Sequence, residues 1–316
     1  MTRVAVIGCG VVGSSWALAF SRAGFHVAVW DAAPAAVQQT LAFVRESIDS
    51  LAQQGLAGSE SADTVCARLR PCATLEEALV GADYVQESAP ERVEIKRELY
   101  QRLDTLAAPD IVLASSTSGL PASSFTDHLA TRSRCLVVHP INPPHLIPLV
   151  ELVPAPWTNQ AVLERAAKLM EKAGHSPIRL SREINGFVVN RLQSALLGEA
   201  FRLVEDGVLS VADVDKAVAD GLGLRWFFMG PFETIDLNAQ QGVAEYCRNL
   251  GPMYYGLSKE QADPREWGPQ LVADVEQQRR MATPADGLVA RRAWRDRCLA
   301  AFVAAKRRVL SEQESV

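Results

Sequence analysis

The chain has 316 residues, 48% hydrophobic and 22% charged, with mean hydropathy +0.02, which excludes disorder and asks for two cores rather than one. A net charge of -5 and a pI near 5.7 provide no basic field for nucleic acid or an anionic membrane. The six cysteines stand singly, with no paired spacing and no accompanying histidines that could close a zinc site, so no metal is expected. Met1-Thr2-Arg3 leads directly into an apolar run and no segment has the length of a membrane span, so a cytoplasmic protein is expected.

Val4 to Ile7 is a short apolar run stopped by Gly8-Cys9-Gly10, the pattern of a buried parallel strand feeding a tight turn. A helix is expected from Gly13 to about Ala23, and Val27 to Trp30 is a second buried strand, completing a βαβ unit. Ala35 to Leu69 is helical in composition and interrupted by Gly55 and Gly58, which predicts an inserted helix pair. Apolar runs at Asp83 to Gln86, Ile111 to Ala114 and Cys135 to Val138 then alternate with helical stretches near Glu91 to Leu106 and Pro121 to Leu129. The fold class is α/β, a Rossmann-type doubly wound sheet over residues 1–184.

From residue 185 to 316 strand-like runs disappear. Val189, Leu192, Leu196, Ala200 and Leu203 repeat at helical spacing, which predicts an all-helical domain with a buried stripe. Gly251 to Pro269 reads as a surface loop joining helices, and Arg291 to Val309 as a basic amphipathic helix packed on that domain.

Gly8, Gly10, Val11, Val12 and Gly13 form a G-x-G-x-x-G that follows a strand and opens a helix, the setting in which such a turn binds a pyrophosphate. Asp31, 18 residues past Gly13, ends the second strand, where a carboxylate accepts hydrogen bonds from an adenosine ribose and repels a 2′-phosphate. NAD is therefore the expected cofactor.

His139 follows the strand Cys135 to Val138 and so sits at the carboxyl end of the sheet, where open α/β folds bind ligands. Glu151 is a lone acid inside the apolar run Leu149 to Val153; burying it is costly without a partner, and His139 can return opposite it. A carboxylate so placed fixes the imidazole tautomer and steadies its charged form.

These residues resemble the 3-hydroxyacyl-CoA dehydrogenase superfamily over nearly the whole length. The family's catalytic His, followed three residues later by Asn and twelve later by Glu, falls on His139, Asn142 and Glu151. Its catalytic serine falls on Ser118 in Ser115-Ser116-Thr117-Ser118, with Ser116 replacing an Asn, and its helix-borne Asn on Asn190. Its Glu and Lys that border the cofactor fall on Glu91 and Lys96. The resemblance implies catalysis by His139, Glu151, Ser118 and Asn190, substrate contacts from Ser118, Asn142 and Asn190, and a homodimer.

Acyl-CoA members of the family hold the CoA phosphates with a lysine-rich helix pair, whereas residues 32–81 here contain no lysine and only Arg45, Arg68 and Arg70. Arg225, in Gly223-Leu224-Arg225-Trp226 before Met229-Gly230-Pro231-Phe232-Glu233, is a residue able to clamp a free carboxylate. The pattern looks closest to the lambda-crystallin branch, which implies oxidation of a small free 3-hydroxy acid such as L-gulonate. L-carnitine or 3-hydroxybutyryl-CoA oxidation, and a non-catalytic NAD-binding structural role, are the alternatives.

Overall fold

The computed structural model describes residues 2–58 and 60–313. It divides into two compact units, one formed by Met1–Val188 with Arg295–Val316 and the other by Val189–Trp294.

The first unit is built on eight strands: β1 (Arg3–Ile7), β2 (His26–Trp30), β3 (Leu69–Pro71), β4 (Tyr84–Glu87), β5 (Val112–Ser115), β6 (Cys135–Pro140), β7 (Leu149–Pro154) and β8 (Ser176–Arg179). Their order in the sheet is β3-β2-β1-β4-β5-β6-β7-β8, and all neighbouring pairs are parallel except β6 with β7. The chain's direction of winding reverses between β1 and β4, so the crevice at their carboxyl ends is the natural ligand position.

Helices cover both faces. They are α1 (Val11–Arg22), α2 (Pro34–Gln53), α3 (Ala62–Cys66), α4 (Leu75–Leu79), α5 (Val93–Leu106), α6 (Ser123–Thr126) and α7 (Gln160–Lys172). Because side chains alternate along a strand, Val4 and Val6 enter one apolar layer with Trp16 and Phe20, while Ala5 and Ile7 enter the other with Tyr100 and Phe125. The expected helix at Pro121 to Leu129 is only the single turn α6, because Pro121 and the break after Asp127 leave no room for more.

The second unit contains α8 (Val189–Glu205), α9 (Val211–Lys216), α10 (Gly223–Trp226), α11 (Pro231–Leu237), α12 (Val243–Glu260) and α13 (Pro269–Ala282). A π-helical segment, Ala217–Leu222, joins α9 to α10. The surface loop expected from Gly251 to Pro269 is corrected: α12 runs through Gly251 and Pro252 to Glu260, leaving only residues 261–268 outside helices. Proline has no N–H to donate to the helix and strains the turn before it, and an 18-residue helix carries that local loss. The stripe on α8 is amphipathic but not buried, since no residue of that helix is buried and Leu192 is 65% exposed.

The final helix, α14 (Leu288–Gln313), also departs from expectation. Its part from Arg295 onward groups with the nucleotide-binding unit, where Ala300 is buried and Leu299, Val303 and Ala304 pack on the apolar layer of α1. Periodicity shows that a helix has a buried face without showing against what. Burial, with Arg307 nearby, pushes the Arg22 guanidinium down to about 10. Two histidines beneath this region are held neutral: burial above all, with a contribution from the Arg22 charge, lowers both His145 and His175 to about 4.

Candidate active site

The glycine turn is shaped by close backbone packing. Gly8 has φ +98°, and a Cβ there would stand 2.7 Å from the Ser88 carbonyl; a Cβ on Gly13 would lie 1.8 Å from the Gly8 oxygen. Around Gly10 nothing lies within 4 Å of an added Cβ, so this is the position open to a ligand's approach. Asp31 accepts from the Cys9 N–H and the Ala33 N–H, both at 2.7 Å, and so pins the turn while lining the cleft beside it. That cleft, about 910 Å³, runs along Gly8, Gly10, Asp31, Ser88 and Pro90. Open backbone at Gly10, a helix N-terminus at Val11 and an acid at the end of β2 fit a dinucleotide.

Antiparallel pairing of β6 with β7 places His139 directly opposite Glu151. The His139 Nδ1–H donates to Glu151 Oε2 at 2.6 Å, which leaves Nε2 as the acceptor. The other carboxylate oxygen accepts the Val188 N–H at 2.7 Å, and Glu151 is fully buried. Phe187 packs its ring 5.6 Å from the imidazole, and it holds φ +52°, a conformation that costs a non-glycine residue energy. Neither Phe187 nor Val188 was singled out from sequence; Gly186 with an apolar neighbour was the available signal.

Ser118 follows β5, the strand beside β6, and is exposed. Its backbone N–H donates to Glu91 Oε1 at 2.9 Å, as does that of Gly119 at 3.1 Å, and the Thr117 hydroxyl donates to the same oxygen. Lys96, expected at the border of the cofactor, is instead fully buried, with Nζ 2.8 Å and 3.0 Å from the two oxygens of Glu87. The ammonium is committed to a carboxylate inside the protein. Glu87 was not singled out from sequence although, like Glu151, it is an acid in a buried strand, here at the strand's end. Ser116, the departure from the family's Asn, accepts from Trp16 Nε1 (3.1 Å) and Gln86 Nε2 (2.7 Å) and shares a hydrogen bond with Ser88, so the smaller residue is fully used.

Asn142 is exposed in the turn after β6. The remaining two residues belong to the second unit: Asn190 is half-buried in the first turn of α8, and Arg225 is exposed in α10. In that unit the hydroxyls of Tyr246 and Tyr254 lie 2.8 Å apart; their hydrogen bond raises the Tyr246 hydroxyl's pKa, an effect that the Arg225 charge opposes.

Residues 3–184 match the model of the 3-hydroxyacyl-CoA dehydrogenase NAD binding domain, and residues 186–282 match that of the C-terminal domain. The chain belongs to the 3-hydroxyacyl-CoA dehydrogenase family. As a member it is an NAD-dependent oxidoreductase acting on CH–OH groups. It is 41% identical to lambda-crystallin from Oryctolagus cuniculus over 309 residues, 97% of each chain. It is also 42% identical to an L-carnitine dehydrogenase from Streptomyces coelicolor over 251 residues, 79% of this chain and 78% of that one. A solved structure of an NAD+-dependent dismutase, 5-formyl-3-hydroxy-2-methylpyridine 4-carboxylic acid 5-dehydrogenase, superposes with TM-score 0.83 at 27% identity, covering 97% of this chain and 99% of that one. Among the described residues, no helix is long and apolar enough to cross a membrane.

Proposed function

We propose that this enzyme oxidises the 3-hydroxyl of a small free 3-hydroxy acid, with L-gulonate, giving 3-dehydro-L-gulonate, as the preferred substrate. The observation that supports a substrate without CoA is the fate of the insert's three cations. Arg45 pairs with Asp63 at 2.5 Å, Arg68 with Glu60, and Arg70 with Glu77 at 3.4 Å. With no lysine in residues 32–81, the insert keeps no uncommitted cation for a nucleotide's phosphates. A free acid instead needs its carboxylate held, and Arg225 is the residue assigned to that task. The similarity to a dehydrogenase whose named substrate is a carboxylic acid supports the same class.

NAD, when bound, supplies the hydride acceptor. The protein's part is proton transfer and orientation: His139 takes the hydroxyl proton at Nε2, Glu151 steadies the resulting imidazolium, and Ser118 and Asn190 hold the oxygen. Asn142 contacts the substrate beside His139. Residues 1–184 carry the cofactor and the His139–Glu151 pair, and residues 185–316 supply Asn190, select substrate and pair with a second copy. Exposed Leu192, Phe232, Leu237 and Met281 support that homodimer, and the protein is assigned to the cytoplasm.

Oxidation of L-carnitine is the second reading, favoured by Trp226 and Phe228, 40% and 46% exposed beside Arg225, which offer aromatic faces to a quaternary ammonium. The presence of Ser118, His139, Glu151 and Asn190 together speaks against a purely structural role. An NAD-coupled screen of L-gulonate, L-carnitine, 3-hydroxybutyrate and 3-hydroxybutyryl-CoA tests the proposal; the highest kcat/KM is expected on L-gulonate, and a preference for the CoA thioester overturns it.

A further inference from the structure

The chain turns sharply just before Val188. The Phe187 N–H donates to the Ile184 carbonyl at 3.1 Å, and two successive residues of this turn have left-handed backbone, Gly186 with φ +73° and Phe187 with φ +52°. Glycine takes that conformation freely, whereas in Phe187 the Cβ crowds the following carbonyl oxygen. Among the described residues, Phe187 is the one non-glycine residue with positive φ. An aromatic side chain here opposes the local preference of the backbone, so the surrounding structure holds it in place.

What holds it lies on both sides of the residue. The Phe187 side chain is fully buried in the apolar layer that also contains Ile7, Tyr100 and Phe125. Its ring centroid lies 5.6 Å from that of His139, with the planes inclined at 54°. The peptide after it points the Val188 N–H at Glu151 Oε1, 2.7 Å away, while Glu151 Oε2 accepts the His139 Nδ1–H at 2.6 Å. One residue thus faces the histidine with its side chain and serves the glutamate through the amide that its backbone directs. With His139 5% exposed and Glu151 0%, the hydrogen bond between them lies in a dry setting, where it is electrostatically stronger than in water. Glycine in place of Phe187 would satisfy the backbone and leave the amide aimed at Glu151, but would uncover the imidazole on this side.

We propose that Phe187 is a positioning residue for the His139–Glu151 pair: its ring, kept against His139 in spite of a left-handed backbone, shuts water out of the hydrogen bond between them. This rests on the reading that His139 takes the hydroxyl proton. It adds to that reading a residue that acts on the chemical step through the imidazole.

The test uses the full-length protein and the variants Phe187→Leu, Phe187→Ala and Phe187→Gly. Leucine keeps an apolar cover, alanine removes it while keeping the Cβ, and glycine removes it while relieving the backbone. With the preferred hydroxy acid, kcat is expected to fall about tenfold or more in both Phe187→Ala and Phe187→Gly, because small losses of orientation are costly, and to stay within about threefold in Phe187→Leu. KM for the hydroxy acid and the Kd for NADH from fluorescence titration should stay within about twofold of the parent in all three. Parental kcat in Phe187→Gly reduces the residue to its backbone and overturns the proposal, as does a loss confined to KM. A second readout needs no substrate. The Nδ1–H of His139, in a short buried bond to a carboxylate, should give a far-downfield proton resonance in the free enzyme, assigned by its absence from His139→Gln. The resonance should persist in Phe187→Leu and be lost to exchange with water in Phe187→Ala and Phe187→Gly. Its persistence in both of these, or its absence from the parent, overturns the proposal. Should the parent turn over no hydroxy acid, the functional reading falls, and this resonance still decides whether Phe187 shields the pair.

Discussion

Two helices that both carry apolar side chains meet opposite fates. In α1, nine of twelve residues are buried, from Gly13 to Ser21, and Trp16 and Phe20 stack 5.0 Å apart within the layer against the sheet. In α8, which is 17 residues long, none is buried, and its apolar stripe includes Leu192 at 65% exposure. The nucleotide-binding unit encloses its own core, and His139 and Glu151 face each other on two of its strands. The helical unit leaves apolar side chains exposed, and the proposed homodimer rests on them. The proposed chemistry draws mainly on the first unit and the proposed recognition on the second, and variants should separate them.

The largest effect is expected in the self-contained unit. His139→Gln should lower kcat by about 10² to 10⁴, the usual contribution of a positioned base, with NADH affinity unchanged by fluorescence titration. Near-normal kcat would show that another group takes the proton. Acid should also strike this unit first, because all five histidines lie within it. Burial lowers both His145 and His175 from near 6.5 to about 4, so the unfolded chain takes up these protons before the folded one does. Their stability contribution is complete above pH 6.5 and is lost as the pH falls toward 4, by on the order of 3 kcal/mol per histidine. Thermal melts across that window should flatten in His145→Asn and in His175→Phe; an unchanged slope in both would place the acid sensitivity elsewhere.

The incomplete unit is probed at its surface. Leu192→Glu with Leu196→Glu puts two charges on one face of α8 and should weaken self-association by about 100-fold in sedimentation, leaving NADH binding intact. A parent protein that sediments as a monomer at micromolar concentration removes the homodimer. Arg225→Met should raise KM for the hydroxy acid by roughly 10-fold to 100-fold, the loss of a charge-assisted contact of about 1.5 to 3 kcal/mol. An unchanged KM would leave that arginine structural. The smallest shift belongs to Asp31→Ala, which should narrow the preference for NAD over NADP by about tenfold as repulsion of the 2′-phosphate is relieved; equal kcat/KM for both cofactors in the parent would remove the premise.

The same contrast explains what was legible beforehand. The β1 to β2 unit, its glycine turn and Asp31 are local signals, contained within a stretch where each residue's neighbours in sequence are its neighbours in space. Glu151 was legible because a carboxylate in an apolar strand demands a partner, and the antiparallel return supplied His139. Glu87 made the same demand, but its partner Lys96 comes from a helix rather than a facing strand, so no strand pairing pointed to it. Residues 251–260 were misjudged because glycine and proline signal a turn wherever their backbone is locally decisive, while α12 is long enough to continue past them. The destination of α14 had no local signature at all.

The joint between the two units has a consequence for modularity. Glu151 owes the hydrogen bond on its second oxygen to the Val188 N–H, and that amide is aimed by the left-handed backbone of Gly186 and Phe187. The backbone that ends the first unit is thereby part of the His139–Glu151 arrangement, although the family models divide the chain between residues 184 and 186. A chimera that exchanges helical domains between relatives must therefore place its crossover beyond Val188. One cut at residue 185 inherits the dyad from one parent and the amide that holds it from the other.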